Sequence, residues 1–154
     1  MKTWFSSRPR ATFFQRGIAA IELAIALPVL ISMLTLTLFY ARYFWYYSVA
    51  QKAAQDSARF MVSARNTEMK SLALATAMSN AAREIVAQEM ADLPLDAPPV
   101  VDVQCDTLTC NGIVPNKVRA HVFFRIKDNI FGAVDAGDDG LTIDAEVNFH
   151  YVGN

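Results

Sequence analysis

No charged residue occurs between Leu23 and Ala41, and no acidic residue occurs before Glu22. The first absence removes the polar face that a water-exposed helix needs. Only Ser32, Thr35 and Thr37 are polar in this run, and their hydroxyls can bond to carbonyls of the preceding turn. About 19 such residues at about 1.5 Å of rise each match a bilayer's hydrocarbon core, so the run is a transmembrane helix candidate, with a buried core helix as the competing reading. The second absence leaves Lys2, Arg8, Arg10 and Arg16 uncompensated, so a net charge of -1 conceals a basic start and a net acidic remainder. By the positive-inside rule the basic end stays cytoplasmic and everything beyond Arg42 lies on the far side. Trp4, Phe5, Phe13 and Phe14 interleave with the bases as interfacial anchors would, which excludes a nucleic-acid partner and implies membrane lipid instead.

The chain is also poor in reactive groups. It has two cysteines and two histidines, and no GxSxG, HExxH or phosphate-cradling glycine loop, so no catalytic residue and no cofactor is expected. Cys105 and Cys110, four residues apart with no nearby Cys or His pair, make poor zinc spacing, and on the oxidising side of a membrane they should form a disulfide. Asp135, Asp139, Gly140 and Glu146 fall one residue short of a calcium loop, with Gly137 where an oxygen ligand belongs, so a solvated turn between strands is expected rather than a metal site. His121 and His150 fall on outward strand faces, adjacent if the register allows, and lack a third ligand or a nucleophile. They read as surface histidines.

What is present begins with a leader, Met1 to Gly17, which has scattered bases, Ser6, Ser7 and Pro9, and no buried-face periodicity; it is expected to be disordered or removed. It does not read as an ordinary secretory signal. The apolar run is too long, Glu22 interrupts its start, and no A-x-A-like site follows. A short basic leader ending in Gly17, an apolar Ile18, and Glu22 opening the long apolar helix resemble the class III signal of type IV pilin-like proteins. More narrowly, Gly17-Ile18-Ala19-Ala20-Ile21-Glu22-Leu23-Ala24 continuing through Leu27-Pro28-Val29-Leu30, with Ala53-Ala54-Gln55-Asp56-Ser57-Ala58-Arg59 further on, is similar to TadE-like minor pilins of tight-adherence (Flp) pili. The resemblance covers roughly Arg16 to Ala64. Major Flp pilins usually place Tyr after the Glu and are much shorter, whereas this chain has Leu23 and 154 residues, which favours a minor pilin or pseudopilin.

The resemblance implies cleavage after Gly17 by a prepilin peptidase, leaving Ile18 as the amino terminus. It also implies that Glu22 pairs with such a terminus, on this or a neighbouring subunit, to guide docking. From the residues alone, Gly17 suits a scissile position because it tolerates a crowded extended conformation, or it merely starts a helix. An acid at a membrane boundary is a functional candidate, or it snorkels to water. Further partners implied are other pilin or pseudopilin subunits and the assembly machinery, in a bacterial inner membrane, with the head periplasmic or carried into a pilus that serves adhesion or biofilm formation.

Along the span, Pro28 removes a backbone donor and should kink or loosen the helix. Phe39, Tyr40, Tyr43, Phe44, Trp45, Tyr46 and Tyr47 surround Arg42 as an aromatic belt at the exit. Ala50, Ala54, Ala58 and Met61 then share a helix face, with Lys52, Asp56 and Arg59 elsewhere, which continues the helix from Ile18 to about Arg65 as a rod of roughly 70 Å. The alanine stripe is expected to pack against the chain's own head. After a break and cap at Asn66-Thr67, Leu74, Met78, Ala82, Ile85, Val86, Met90 and Leu93 form the stripe of a second helix, ended by Pro94, Pro98 and Pro99.

From Val100 the period becomes two. Val101, Val103 and Cys105 share one face, as do Val118 to Ile126 in Lys117 to Lys127 and Leu141 to Tyr151 in the last segment, and the basic and acidic outer faces of the last two should pair. The expected fold is α+β: leader 1-17, transmembrane helix with its belt 18-47, and an extracytoplasmic head 48-154 with a meander of about three strands over the helices. The function class is a non-enzymatic, single-pass membrane protein. Its alternative is an uncleaved accessory protein of a secretion or pilus-assembly complex.

Overall fold

A computed structural model describes residues 13–95, 97–126 and 141–153, with side chains from Gly17 onward. The first helix, α1, runs Phe13–Val62. It begins upstream of Gly17, so the last part of the leader is helical rather than unstructured: no glycine or proline lies between Pro9 and Gly17 to stop it. Contacts divide the chain into two units, residues 1–41 and 42–154.

In the first unit the apolar side chains face outward, for example Ile25 at 69% exposed and Met33 at 67%. Ser32 Oγ donates to Pro28 O at 2.8 Å, Thr35 Oγ1 to Ile31 O at 2.8 Å and Thr37 Oγ1 to Met33 O at 2.9 Å, so the few hydroxyls are internally satisfied. Backbone groups are met within the helix and side chains are apolar, the condition for residing in lipid. One helix among the described residues is long and apolar enough to cross a membrane.

The second unit is α+β. The later turns of α1 are followed by a single turn, α2 (Asn66–Met69), and by α3 (Leu72–Glu89). The N-cap of α2 is Arg65, one residue ahead of the expected break, and its N–H donates to Glu68 Oε2 at 2.8 Å. Strands β1 (Val100–Cys105), β2 (Leu108–Thr109), β3 (Lys117–Ile126) and β4 (Leu141–His150) form one antiparallel sheet in the order β2-β1-β3-β4. The three expected strands are there, in the expected faces. The short β2, which folds back on β1 with Cys105 opposite Leu108, is the addition.

Helices cover one face of this sheet. Toward one end, Tyr46, Ala50, Ala53 and Ala54 of α1 share a core with Val86 and Met90 of α3 and with Val122, Phe124 and Ile143 of the sheet. Toward the other, Met61, Ala64 and Met69 pack with Ala82, Val103, Val118 and Tyr151. The alanine stripe of α1 therefore packs against its own head. The absence of side-chain bulk is what permits close approach, and larger residues such as fully buried Met61 fill the gaps, each contributing about 2 kcal/mol by burial.

Along α3 and the turn after it the expected stripe is buried at Ala82, Val86 and Met90 and partly buried at Met78, Ile85 and Leu93, but Leu74 is 49% exposed and Ala75 and Ser79 are buried in its place. The helix chooses its small residues for the close contact and leaves Leu74 outside. Its C-cap is Met90, ahead of the prolines.

Candidate functional site

Gly17, Ile18 and Glu22 lie in sequence along α1. Gly17 sits within the helix, not at its start, and a Cβ there would meet nothing within 4 Å, so neither packing nor backbone conformation in this state requires glycine. Ile18 is 60% exposed and Glu22, one turn on, is exposed as well. The arrangement leaves the Gly17–Ile18 bond uncovered by other described residues, and sets the carboxylate on the stretch that leads into the apolar run. Pro28 follows within the uninterrupted helix.

The belt divides in two. Tyr40, Phe44, Trp45 and Tyr47 are exposed, whereas Tyr46 is only 4% exposed and lies 6.5 Å, ring centre to ring centre, from Phe124 of β3. Arg42 Nη2 donates to the Tyr46 hydroxyl at 3.1 Å, and its guanidinium lies 5.4 Å from that ring. Arg42 thus fastens the first turn of the second unit, and the exposed aromatics remain available to an interface of water and lipid.

Farther along, Lys52 bridges Asp56 at 3.9 Å and Glu89 at 3.6 Å. Burial raises the Glu89 carboxyl above its ordinary range, with Asp56 adding to the rise and Lys52 opposing it. The outer sheet face carries the expected pairing: Arg119 donates to Glu146, and His121 Nε2 lies 2.7 Å from Asp144 Oδ1. These are diagonal contacts, because the register places Arg119 opposite Asn148 and His121 opposite Glu146. Glu146 is held below the ordinary carboxylate range by the Asn148 amide first and by Arg119 second. His150 stands opposite Lys117, so the two histidines are not adjacent.

Cys105 and Cys110 are joined by a disulfide, with Cα atoms 4.9 Å apart. The loop they close contains a feature that sequence reading missed. Asp106 and Thr107, the two residues between β1 and β2, both have positive φ, 52° and 79°. A two-residue hairpin needs that twist, but it normally draws Asn-Gly or Asp-Gly, so Asp-Thr gave no turn signal. The Asp106 carboxylate secures the turn, accepting from Asn116 N at 2.7 Å and Lys117 N at 2.8 Å. Next to it, Gly112 has φ +84°, and a Cβ there would lie 3.0 Å from Leu72 N and 3.3 Å from Lys70 O. Glycine is needed at that point to let the loop touch the start of α3.

Among the described residues no three His, Cys, Asp or Glu side chains gather as a metal site would require. The acidic loop residues Asp135, Asp139 and Gly140 lie outside the described residues, and Glu146 belongs to β4.

One membrane-type helix among the described residues, with Gly17 and Glu22 ahead of its apolar run, joined to an α+β unit, is the architecture of a membrane-anchored protein. Residues 17–59 match the family model described as TadE-like protein. The matched segment is helical throughout and ends before α2, so it covers Gly17, Glu22, Pro28 and the alanine stripe but not the sheet. No curated protein and no solved structure matches the chain.

Proposed function

We propose that this protein is a minor pilin or pseudopilin that acts without catalysis in assembly of a tight-adherence pilus. The observation that carries the reading is the family match over 17–59, which takes in Gly17, Ile18 and Glu22 together with the apolar run. In this reading a prepilin peptidase cuts after Gly17. Ile18 becomes the amino terminus, Glu22 receives an ammonium group, and the helix is held in the bacterial inner membrane. The basic leader faces the cytoplasm and the head faces the periplasm, where the disulfide belongs. The partners are neighbouring pilin subunits and the assembly machinery, and the outcome is a fibre that supports adhesion or biofilm formation.

The alternative is an uncleaved accessory protein, and one observation favours it: α1 passes through Gly17 without interruption, so the peptidase would have to open a helix to reach the bond. The mature amino terminus decides between them. Mass spectrometry of the protein from cells with an active prepilin peptidase should find a chain starting at Ile18, and Gly17→Leu should block that processing. An intact Met1 terminus in such cells overturns the pilin reading.

A further inference from the structure

Among the described residues the sheet ends on one side in a strand, β4, with no strand beside it. β4 pairs with β3 over ten consecutive residues, from Ile126↔Leu141 to Lys117↔His150, with no interruption of register. Its other edge has no neighbour among the described residues. The opposite edge of the sheet is at least partly closed by β2. A long free edge presents a row of unpaired backbone N–H and C=O groups, and proteins that avoid strand addition blunt such edges with lysine, proline or a bulge. β4 has no lysine and no proline, and its ladder with β3 has no bulge.

We propose that the outer edge of β4 is a strand-addition site for an extended segment of another protein in which apolar residues alternate with basic ones. Two independent observations set that chemistry. On the helix-covered side, Val147 and Phe149 are only partly buried, while their neighbours on β3, Ala120 and Val118, are fully so. The apolar layer is unfinished at this edge, and an added strand would complete it with apolar side chains at every second position. On the outer side β4 displays Asp144 and Glu146. Asp144 remains 62% exposed after its contact with His121, and no partner is seen for its second carboxylate oxygen among the described residues. A basic side chain on the added strand meets that need.

The β4 of a second copy lacks the required chemistry, since its outer side carries the acids Asp144 and Glu146 and no lysine or arginine. α1 and β4 run in the same sense: Tyr46 packs with Phe124 near the start of β4, and the Tyr151 hydroxyl, just past its end, donates to Ala64 O at 2.7 Å near the end of α1. Antiparallel β4-to-β4 pairing in one continuous sheet would also run the head segments of α1 in opposite senses in the two copies.

The probe is a fluorescein-labelled peptide with the sequence of Lys117–Ile126, which already has the required alternation, titrated by anisotropy into the full-length protein in nanodiscs. Saturable binding is expected. Val147→Lys, a charge directed at the unfinished apolar rim, should weaken it at least tenfold, with the head's circular dichroism unchanged. Asp144→Lys should weaken the same peptide and favour a version in which Lys117, Arg119 and Arg125 are replaced by Glu. A scrambled peptide without alternation should not bind.

Absence of saturable binding overturns the proposal, as does binding indifferent to both variants. Concentration-dependent self-association abolished by Val147→Lys would make a second copy the occupant and equally overturn it. None of these outcomes depends on where the mature chain begins, so failure here leaves the pilin reading to its own test.

Discussion

Thr107 occupies a backbone position that its side chain disfavours, and replacing it should make the head more stable. Its φ of 79° is in the left-handed region, where a non-glycine residue costs about 1–2 kcal/mol and a β-branched one is a true outlier. Nothing compensates through the side chain, since Thr107 is exposed. Thr107→Gly removes the strain but gives the unfolded chain more freedom, a loss of about 0.5–1 kcal/mol. The balance is a gain of about 1 kcal/mol, which for a unit the size of Arg42–Asn154 raises Tm by about 4 °C. The assay is a thermal melt of the full-length protein in detergent, without reductant so that the Cys105–Cys110 bridge stays closed. Asp106→Gly supplies the opposite sign: relief at φ 52° is outweighed by loss of the two bonds to Asn116 N and Lys117 N, and Tm should fall. A Tm that is unchanged or lower in Thr107→Gly would refute the reasoning that strain is stored at this residue.

Gly112→Ala should destabilise the head by about 2 kcal/mol, because φ is +84° and the new Cβ meets backbone atoms of the α2–α3 junction; urea unfolding checks it. Tyr151→Phe leaves the Ala64 carbonyl without its buried donor and should cost about 1–2 kcal/mol in the same assay. Burial, with the charge of Glu68 second, raises the Tyr151 pKa above 10.0, so its contribution is complete below that pH and disappears as pH climbs through the folded value; the wild type should lose stability in strong base more steeply than Tyr151→Phe. Burial also raises Glu89, so its favourable contribution is complete below pH 4.5 and is lost as pH rises through the folded value, and Glu89→Gln should stabilise the head at neutral pH while reducing the fall of its Tm as pH rises above 4.5.

Strands were readable wherever one face is buried and the other wet, because a period of two survives in the residue types themselves. Val118, Ala120, Val122 and Phe124 announce β3, and the basic residues between them announce its pairing with Asp144 and Glu146. The same method misread only the first turns of α3, for a physical reason. A search for large apolar residues selects Leu74, but close packing against another element selects Ala75, Ser79 and Ala82, which carry little hydrophobic signal. β2 was hidden because its turn works through the Asp106 carboxylate and backbone strain instead of through glycine. Gly17 and Glu22 stand out in the sequence because their identities and spacing are local, and the roles proposed for them await their own tests. The open edge of β4 was not, because strand order depends on which segments meet at long range, and no local pattern records which strand is left outside.

Glu22 is the residue at which the local chemistry of the amino terminus would become assembly. An ionised carboxylate beside the apolar run is unfavourable unless it is paired, and the residues one turn from it on α1, Ile18, Ala19, Ile25 and Ala26, carry no cation. The cleavage proposed after Gly17 would create one. The new ammonium of Ile18 lies one turn away on the same helix, and on a neighbouring subunit it can meet Glu22 directly, where reduced dielectric strengthens the pair and penalises every other register. Glu22→Ala should therefore insert at least as well as the wild type, because an ionisable group has been removed from the membrane boundary. It should also still be processed, since Gly17 is untouched. What it should lose is docking: a loss of about 1.4 kcal/mol at that contact lowers association about tenfold. Site-specific crosslinking of processed protein to neighbouring pilin subunits, at matched membrane abundance, reads that loss apart from insertion and cleavage. Glu22→Gln should share the defect, as an amide keeps the shape but not the charge. Crosslinking equal to wild type in both variants would make Glu22 an acid that merely reaches water, and the docking role would have to pass to another residue of the matched segment.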